Sequence, residues 1–256
     1  VNAAIAKMNL FLHGASDFNV MQGDTLRDPK ILQGGNIAKF DCVIANPPFS
    51  LENWGATEWS SDKYKRNIYG TPSDSCGDYA WIQHMICSMV SGQGRMAVVM
   101  PQGILFRNQE TEIRKQLVES DLIEAVVTLG DKLFYGTGLS PCFLIIRRMK
   151  PAHHFGRILM IDGSKILTQK RAQNILEEND IDRLYSLYQN YSDEEDYSRI
   201  VTLQEIRDKE YNLSPNRYVV YHKEEIRPYA EVLAEFKHAY EEVKRLEEEF
   251  SLLINA

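Results

Sequence analysis

The sequence predicts an α/β protein with a parallel or mixed sheet, on three observations. Apolar runs of strand length alternate with segments of helical periodicity from residue 40 to residue 147. Turn-forming residues close the runs, as at Gly23 and Asp24 and at Asn46, Pro47 and Pro48. With 256 residues, 44% hydrophobic and 25% charged, the chain can bury a substantial core and carries no signature of disorder.

Taken in order, residues 3–13 carry Ile5, Met8, Leu10 and Leu12 and stop at Gly14, the pattern of a helix ended by glycine. Residues 18–21 read as a short strand closing on Gly23 and Asp24. The run Phe40, Asp41, Cys42, Val43, Ile44, Ala45 reads as a buried strand, and a polar loop covers about 51–76. Helix 78–90, strand 96–100, helix 111–119 and strands 123–129 and 142–147 follow. The last two strands lie too close for a long crossover, so the second is expected to run antiparallel. Residues 157–161 make a further strand, and 174–191 a polar helix with Tyr185, Tyr188 and Tyr191 three apart on one face. That stripe serves either packing on the sheet or contact with a partner or nucleic acid. The segment 193–196 is an acidic, exposed loop.

Cys42, Cys76, Cys87 and Cys142 are scattered without a C-x-x-C pair, and two lie in apolar runs. They read as reduced core thiols of an intracellular protein, not as zinc ligands or disulfides, and no metal site is expected. The first eight residues lack the pattern of a signal peptide, and no stretch approaches the roughly 18 apolar residues of a membrane helix, so the cytoplasm is the expected location. The missing initiator methionine marks a fragment or processed product. A formal net charge of −7 is awkward for a nucleic-acid enzyme, because Lys and Arg at phosphates supply most non-specific affinity. Lys63, Lys65 and Arg66, and Arg147, Arg148, Lys150, His153, His154 and Arg157, form two basic clusters that serve as phosphate contacts or as a solvated rim.

Asn46, Pro47, Pro48 and Phe49 leave the carboxyl end of an apolar strand, where open α/β sheets bind ligands. Proline fixes its own φ and holds the residue before it extended, so the Asn46 and Pro47 carbonyls point in preset directions. An amino group gripped by the Asn46 side-chain oxygen and the Pro47 carbonyl donates both hydrogens and keeps its lone pair for attack on an electrophile. Phe49 can stack on the ring bearing that amine. A proline-rich turn is the plain alternative.

This tetrapeptide resembles motif IV of the amino-group methyltransferases that use S-adenosyl-L-methionine, whose acceptors are adenine N6, cytosine N4 or a protein glutamine amide. Further segments occur in order: 6–10, Leu12-His13-Gly14, 23–26, Gly77-Asp78-Tyr79-Ala80, 101–106 and 133–138. As an ordered set they resemble the methylation subunit of type I restriction-modification systems, an adenine-N6 DNA methyltransferase working with a separate specificity subunit. The resemblance implies a partial Rossmann-like methyltransferase sheet in residues 1–150, an α+β extension over 151–222 and a carboxyl-terminal helical part from 223 to 256. It further implies that Asn46 and Pro47, next to Pro48, orient the amine, that Phe49 stacks on a flipped base, and that Phe134 or Tyr135 gives a second aromatic wall. Asp24 would hydrogen-bond the cofactor's adenine, and Asp78 and Tyr79 would line the cofactor pocket. Asp24 also reads as a turn aspartate, Asp78 as a helix-capping carboxylate, and Phe134 or Tyr135 as core.

One departure counts against full activity. The family's glycine-rich cofactor loop and ribose-binding acidic residue, placed ahead of its first matching helix, have no counterpart in this sequence, so the chain alone is expected to bind cofactor weakly and to be inactive, with strand 40–45 at an open sheet edge. A non-catalytic assembly subunit, or a protein or RNA amino-group methyltransferase, are the alternatives. Finally, Val232, Phe236, Ala239, Val243, Leu246, Phe250 and Leu253 form a heptad stripe on a Glu-rich helix, 229–254. The resemblance implies that this helix docks on the specificity subunit, with double-stranded DNA and a restriction subunit as further partners; burial on the protein's own body is the alternative.

Overall fold

The computed structural model describes residues 2–134, 138–171, 173–222 and 229–254. The chain separates into two units, residues 1–220 and 221–256. In the first unit, helix α1 (Asn2–Leu12) ends at Gly14, whose φ of 80° suits glycine. A two-residue hairpin of β1 (Leu32–Gln33) and β2 (Asn36–Ile37) follows, with Gly34 and Gly35 at positive φ. The segment 18–21 is irregular, contrary to the predicted strand, and Phe18 and Met21 are exposed. A strand holds only where a neighbour takes up its backbone groups, and no strand pairs with this segment among the described residues.

Six strands form one mixed sheet: β3 (Cys42–Ala45), β4 (Arg95–Pro101), β5 (Ile123–Leu129), β6 (Pro141–Arg147), β7 (Arg157–Gly163) and β8 (Ser198–Thr202). Their spatial order is β3-β4-β6-β5-β7-β8. β3 runs parallel to β4, β5 parallel to β7, and β6 lies between β4 and β5 antiparallel to both, the direction expected from the short connection into it. Residues 157–202, read from sequence as an extension, thus add two strands to the same sheet.

The core has two sides. From Ala125 on, alternate residues of the fully buried β5 point to opposite faces, Val126 joining one cluster and Ala125, Val127 and Leu129 the other; a register shift between Ile123 and Ala125 turns Ile123 to the side of Val126. Helices α3 (Asp78–Cys87) and α4 (Thr111–Glu119) cover the first face through Ile82, Ile86, Ile113 and Leu117. Helix α5 (Glu178–Asn190) covers the second through Leu187, with Leu184 and Tyr188 beside it. The polar loop 51–76 has a small core of its own, where Trp54 and Trp59, the latter in α2 (Ala56–Ser60), pack with Leu26 and Ala80. A short helix α6 (Leu203–Asp208), capped by Thr202 and Glu205, completes the unit.

β3 is the sheet's terminal strand, as expected, but it is not buried: Phe40 and Ile44 are exposed, and so is Cys42, which was read as a core thiol. With a neighbour on one side only, an edge strand leaves half its backbone groups and much of its side-chain surface uncovered. In the second unit, α7 (Tyr229–Ile254) is one uninterrupted helix carrying the heptad stripe. No described helix is long and apolar enough to cross a membrane.

Candidate functional site

The sheet topology brings three chain segments to one rim. β3 ends at Ala45, paired with Val98, and β4 continues to Pro101. Because β6 runs antiparallel, it starts at that same rim with Pro141, opposite Pro101. β5 ends there too, Thr128 lying opposite Cys142. The segment leaving β3 and the loop between β5 and β6 therefore meet. The Phe49 and Phe134 rings lie 6.3 Å apart at 85°, an edge-to-face pair. Asn46 and Pro48 are exposed, Pro47 is buried and Phe49 is half-buried. Tyr135, the alternative second wall, lies outside the described residues.

Ser50, directly after Phe49, has a φ of 49°, a left-handed conformation that costs a non-glycine residue energy. Its N–H donates to Asp78 Oδ1 at 2.7 Å, and Gly77 N donates to the Leu51 carbonyl at 3.0 Å. Asp78 is fully buried; its second oxygen accepts from Cys76 Sγ at 3.2 Å and pairs with Arg107 Nη2. Arg107 Nη1 also donates to Cys76 Sγ at 3.0 Å, and its Nε lies 3.1 Å from Glu110. Burial pushes the Glu110 carboxyl above its ordinary range, against the pull of Arg107, and pushes the Cys76 thiol up to about 11.

Two sequence expectations are corrected at this point. Asp78 is enclosed and faces the chain after Phe49, so it does not line an open pocket; nor does it cap its helix, whose N-cap is Gly77 without a side-chain bond. Tyr79 is 1% exposed and donates its hydroxyl to the Ile104 carbonyl at 2.8 Å, inside the main core. Both follow from the helix start lying beneath the rim, covered by loop 51–76.

Asp24 is exposed. Its Oδ1 accepts from the N–H groups of Leu26 and Arg27 at 3.1 and 3.0 Å, the turn use weighed from sequence, while Oδ2 lies 3.4 Å from Arg27 Nη1. That turn is fixed from below by Arg66. The guanidinium is 1% exposed and donates to the carbonyls of Thr25 (2.9 Å) and Leu26 (2.7 Å) and to both oxygens of Asp62 (2.7 and 3.0 Å), and it lies over Trp59. Its Nη1 is also 3.2 Å from His84 Nδ1. Burial, reinforced by Arg66, drops the His84 pKa to about 4, so that ring is a neutral acceptor. Arg66 is thus no phosphate ligand. In the second basic cluster Lys150 is buried against Asp121, and Arg147 and His154 both meet the buried Glu124 at 3.1 Å. Of the tyrosine stripe, Tyr188 bonds Glu124 at 2.6 Å and Tyr191 stacks on His154 at 3.4 Å, while Tyr185 is exposed.

Sequence reasoning missed Ser50, Arg107, Asp62 and His84, and read Arg66 as a surface residue. Only Asp62 and Arg66, four apart, gave any local signal of their pairing.

A mixed sheet in which β6 and β8 run against the other four strands is the fold of a methyltransferase-type domain, and its rim sets Asn-Pro-Pro-Phe facing a second aromatic ring. The chain belongs to the N-6 DNA methylase family, whose profile matches residues 1–226. It is 36% identical to the type I restriction enzyme MjaVII methylase subunit of Methanocaldococcus jannaschii over 97% of its own length and 44% of the relative's. It is 30% identical to the HindI methylase subunit of Haemophilus influenzae, covering 84% of this chain and 49% of that one. The type I restriction-modification methyltransferase subunit from Streptococcus thermophilus superposes with a TM-score of 0.77 at 29% identity, over 85% of this chain and 46% of that chain. The EcoKI M protein shares the fold, with a TM-score of 0.60 at 19% identity. The chain thus carries a domain of the type I methylase subunit family and spans under half the length of these curated relatives.

Proposed function

We propose that this chain is the target-base half of a site-specific adenine-N6 DNA methyltransferase. The observation that carries the reading is the meeting of Asn46, Pro47 and Phe49 with Phe134 at one rim, the two aromatic rings 6.3 Å apart. The Asn46 amide oxygen and the Pro47 carbonyl accept the two N6 hydrogens of adenine. The lone pair of that amine is delocalised into the ring, so acceptors that favour a pyramidal, positively charged nitrogen lower the barrier without a strong base. Flipping the nucleotide out of the duplex costs a few kcal/mol, and stacking on Phe49, worth roughly 1 to 3 kcal/mol, offsets much of it.

The methyl donor is S-adenosyl-L-methionine, which when bound supplies an electrophilic methyl group on its sulfonium sulfur. Asp24 fits as its adenine anchor in one respect: the carboxylate is exposed and Oδ2 has only a 3.4 Å contact with Arg27. The described residues offer this one anchor and not a whole cradle, so the chain by itself is proposed to bind the donor weakly and to transfer no methyl group. Double-stranded DNA is the substrate, which places the work in the cytoplasm. Helix 229–254 docks on helices of a specificity subunit, because a single helix cannot bury a heptad stripe against itself; a restriction subunit joins that assembly.

The test uses tritiated S-adenosyl-L-methionine, duplex DNA and the chain, alone and together with a specificity subunit and a polypeptide carrying a glycine-rich cofactor loop. Label is expected in N6-methyladenine from the full mixture only, falling about 10²-fold or more with Asn46→Ala. Label in cytosine, or none in any mixture, overturns the reading.

A further inference from the structure

We infer that Asp78 is a positioning residue: a buried carboxylate that fixes Phe49 and the Asn46–Pro47 acceptors by holding Ser50 in its left-handed turn. This rests on the proposed role of the Asn46–Phe49 rim.

Ser50 is the first residue after the rigid prolines and Phe49, and at a φ of 49° it occupies a conformation an ordinary side chain leaves unless something holds it. The hold is a charge-assisted bond of 2.7 Å from Ser50 N–H to Asp78 Oδ1, across 28 residues of sequence. Asp78 cannot swing away. It is 0% exposed, its other oxygen is taken by Cys76 Sγ and Arg107, and Arg107 follows the 3₁₀ turn Gln102–Leu105 beyond β4, the strand beside β3. The ends of two neighbouring parallel strands are therefore linked through one carboxylate beneath the rim. A second tie runs the other way, from Gly77 N to the Leu51 carbonyl at 3.0 Å. At Gly77 the backbone packs tightly on Trp54: a Cβ there would sit 2.9 Å from Trp54 Cγ. The loop after Phe49 is thus seated on the start of α3 by backbone, side chain and packing together, with the Asp78 carboxylate bonded to the turn itself.

The experiment combines amide hydrogen exchange of the full chain with kinetics of the assembled enzyme. In the wild type, the Ser50 amide must exchange slowly although it lies in an exposed turn; fast exchange overturns the proposal whether or not any variant folds. Asp78→Asn is expected to speed Ser50 exchange about tenfold or more, leaving Val98 and Val126 in the sheet unchanged. It is expected to lower kcat about tenfold or more with little change in cofactor KM, because small displacements of reacting groups cost rate. Adding Ser50→Gly to Asp78→Asn is expected to recover much of kcat, since glycine takes positive φ without strain. A purely structural carboxylate predicts no such rescue, and its absence refutes positioning. If wild-type assemblies transfer no methyl group, the functional reading fails separately and the Ser50 amide alone decides the tether.

Discussion

Replacing Arg66 by methionine tests whether a buried cation organises the approach to the site. Met keeps much of the side-chain volume and removes the charge and five N–H donors. The Asp62 carboxylate, 7% exposed, loses its partner, and the carbonyls of Thr25 and Leu26 lose bonds of 2.9 and 2.7 Å. Breaking a buried ion pair from one side costs about 3 to 5 kcal/mol, because the orphaned charge stays behind. For a chain of this size that is a fall in Tm of roughly 10 °C. The loss should be strongly coupled to Asp62: Arg66→Met with Asp62→Leu should cost clearly less than Arg66→Met alone, since two apolar groups leave no stranded charge. Urea unfolding of the single and double variants measures the coupling, and hydrogen exchange at residues 24–27 shows whether the Asp24 turn has loosened. A single-variant cost under about 1 kcal/mol, or a double variant no better than additive, would refute a buried, load-sharing Arg66.

Three further outcomes are expected. His84 is held neutral down to about 4, below its ordinary 6.5, so the unfolded chain takes up its proton first; stability should be intact above the ordinary value, fall by about 3 kcal/mol between those two pH values and then level off, a slope that His84→Gln should flatten in pH-dependent urea melts. Gly77→Ala should cost about 1 to 3 kcal/mol, because its Cβ would lie 2.9 to 3.2 Å from three atoms of the buried Trp54, and Trp54→Phe should relieve part of that cost in thermal melts. Residues 1–220 expressed without the carboxyl-terminal helix should keep the Tm of the sheet unit and lose co-purification with a specificity subunit; retained binding counts against docking through that helix.

What the sequence determined by itself was whatever depends on near neighbours in the chain. Strands 123–129 and 142–147 and helix 111–119 were legible because apolar periodicity and turn residues act locally, and the antiparallel strand followed from a short connection. Asn46, Pro47, Pro48 and Phe49 were legible as a rigid turn leaving a strand because proline presets backbone directions wherever it occurs. The strand read at 18–21 and the burial read for 40–45 both needed cover that the fold does not give: among the described residues no strand pairs with 18–21, and β3 has a neighbouring strand on one side, so the edge position expected for it argued against its burial. Only the tertiary structure decided which charges are buried. Arg66 and Lys150 read as phosphate contacts or a solvated rim and are internal partners of Asp62 and Asp121, while Asp78, read as a pocket wall or a helix cap, accepts the Ser50 N–H. Whether a charge meets water or an opposite charge is fixed by segments tens of residues away, brought together by the sheet, and so it cannot be read from the residue's own surroundings in sequence.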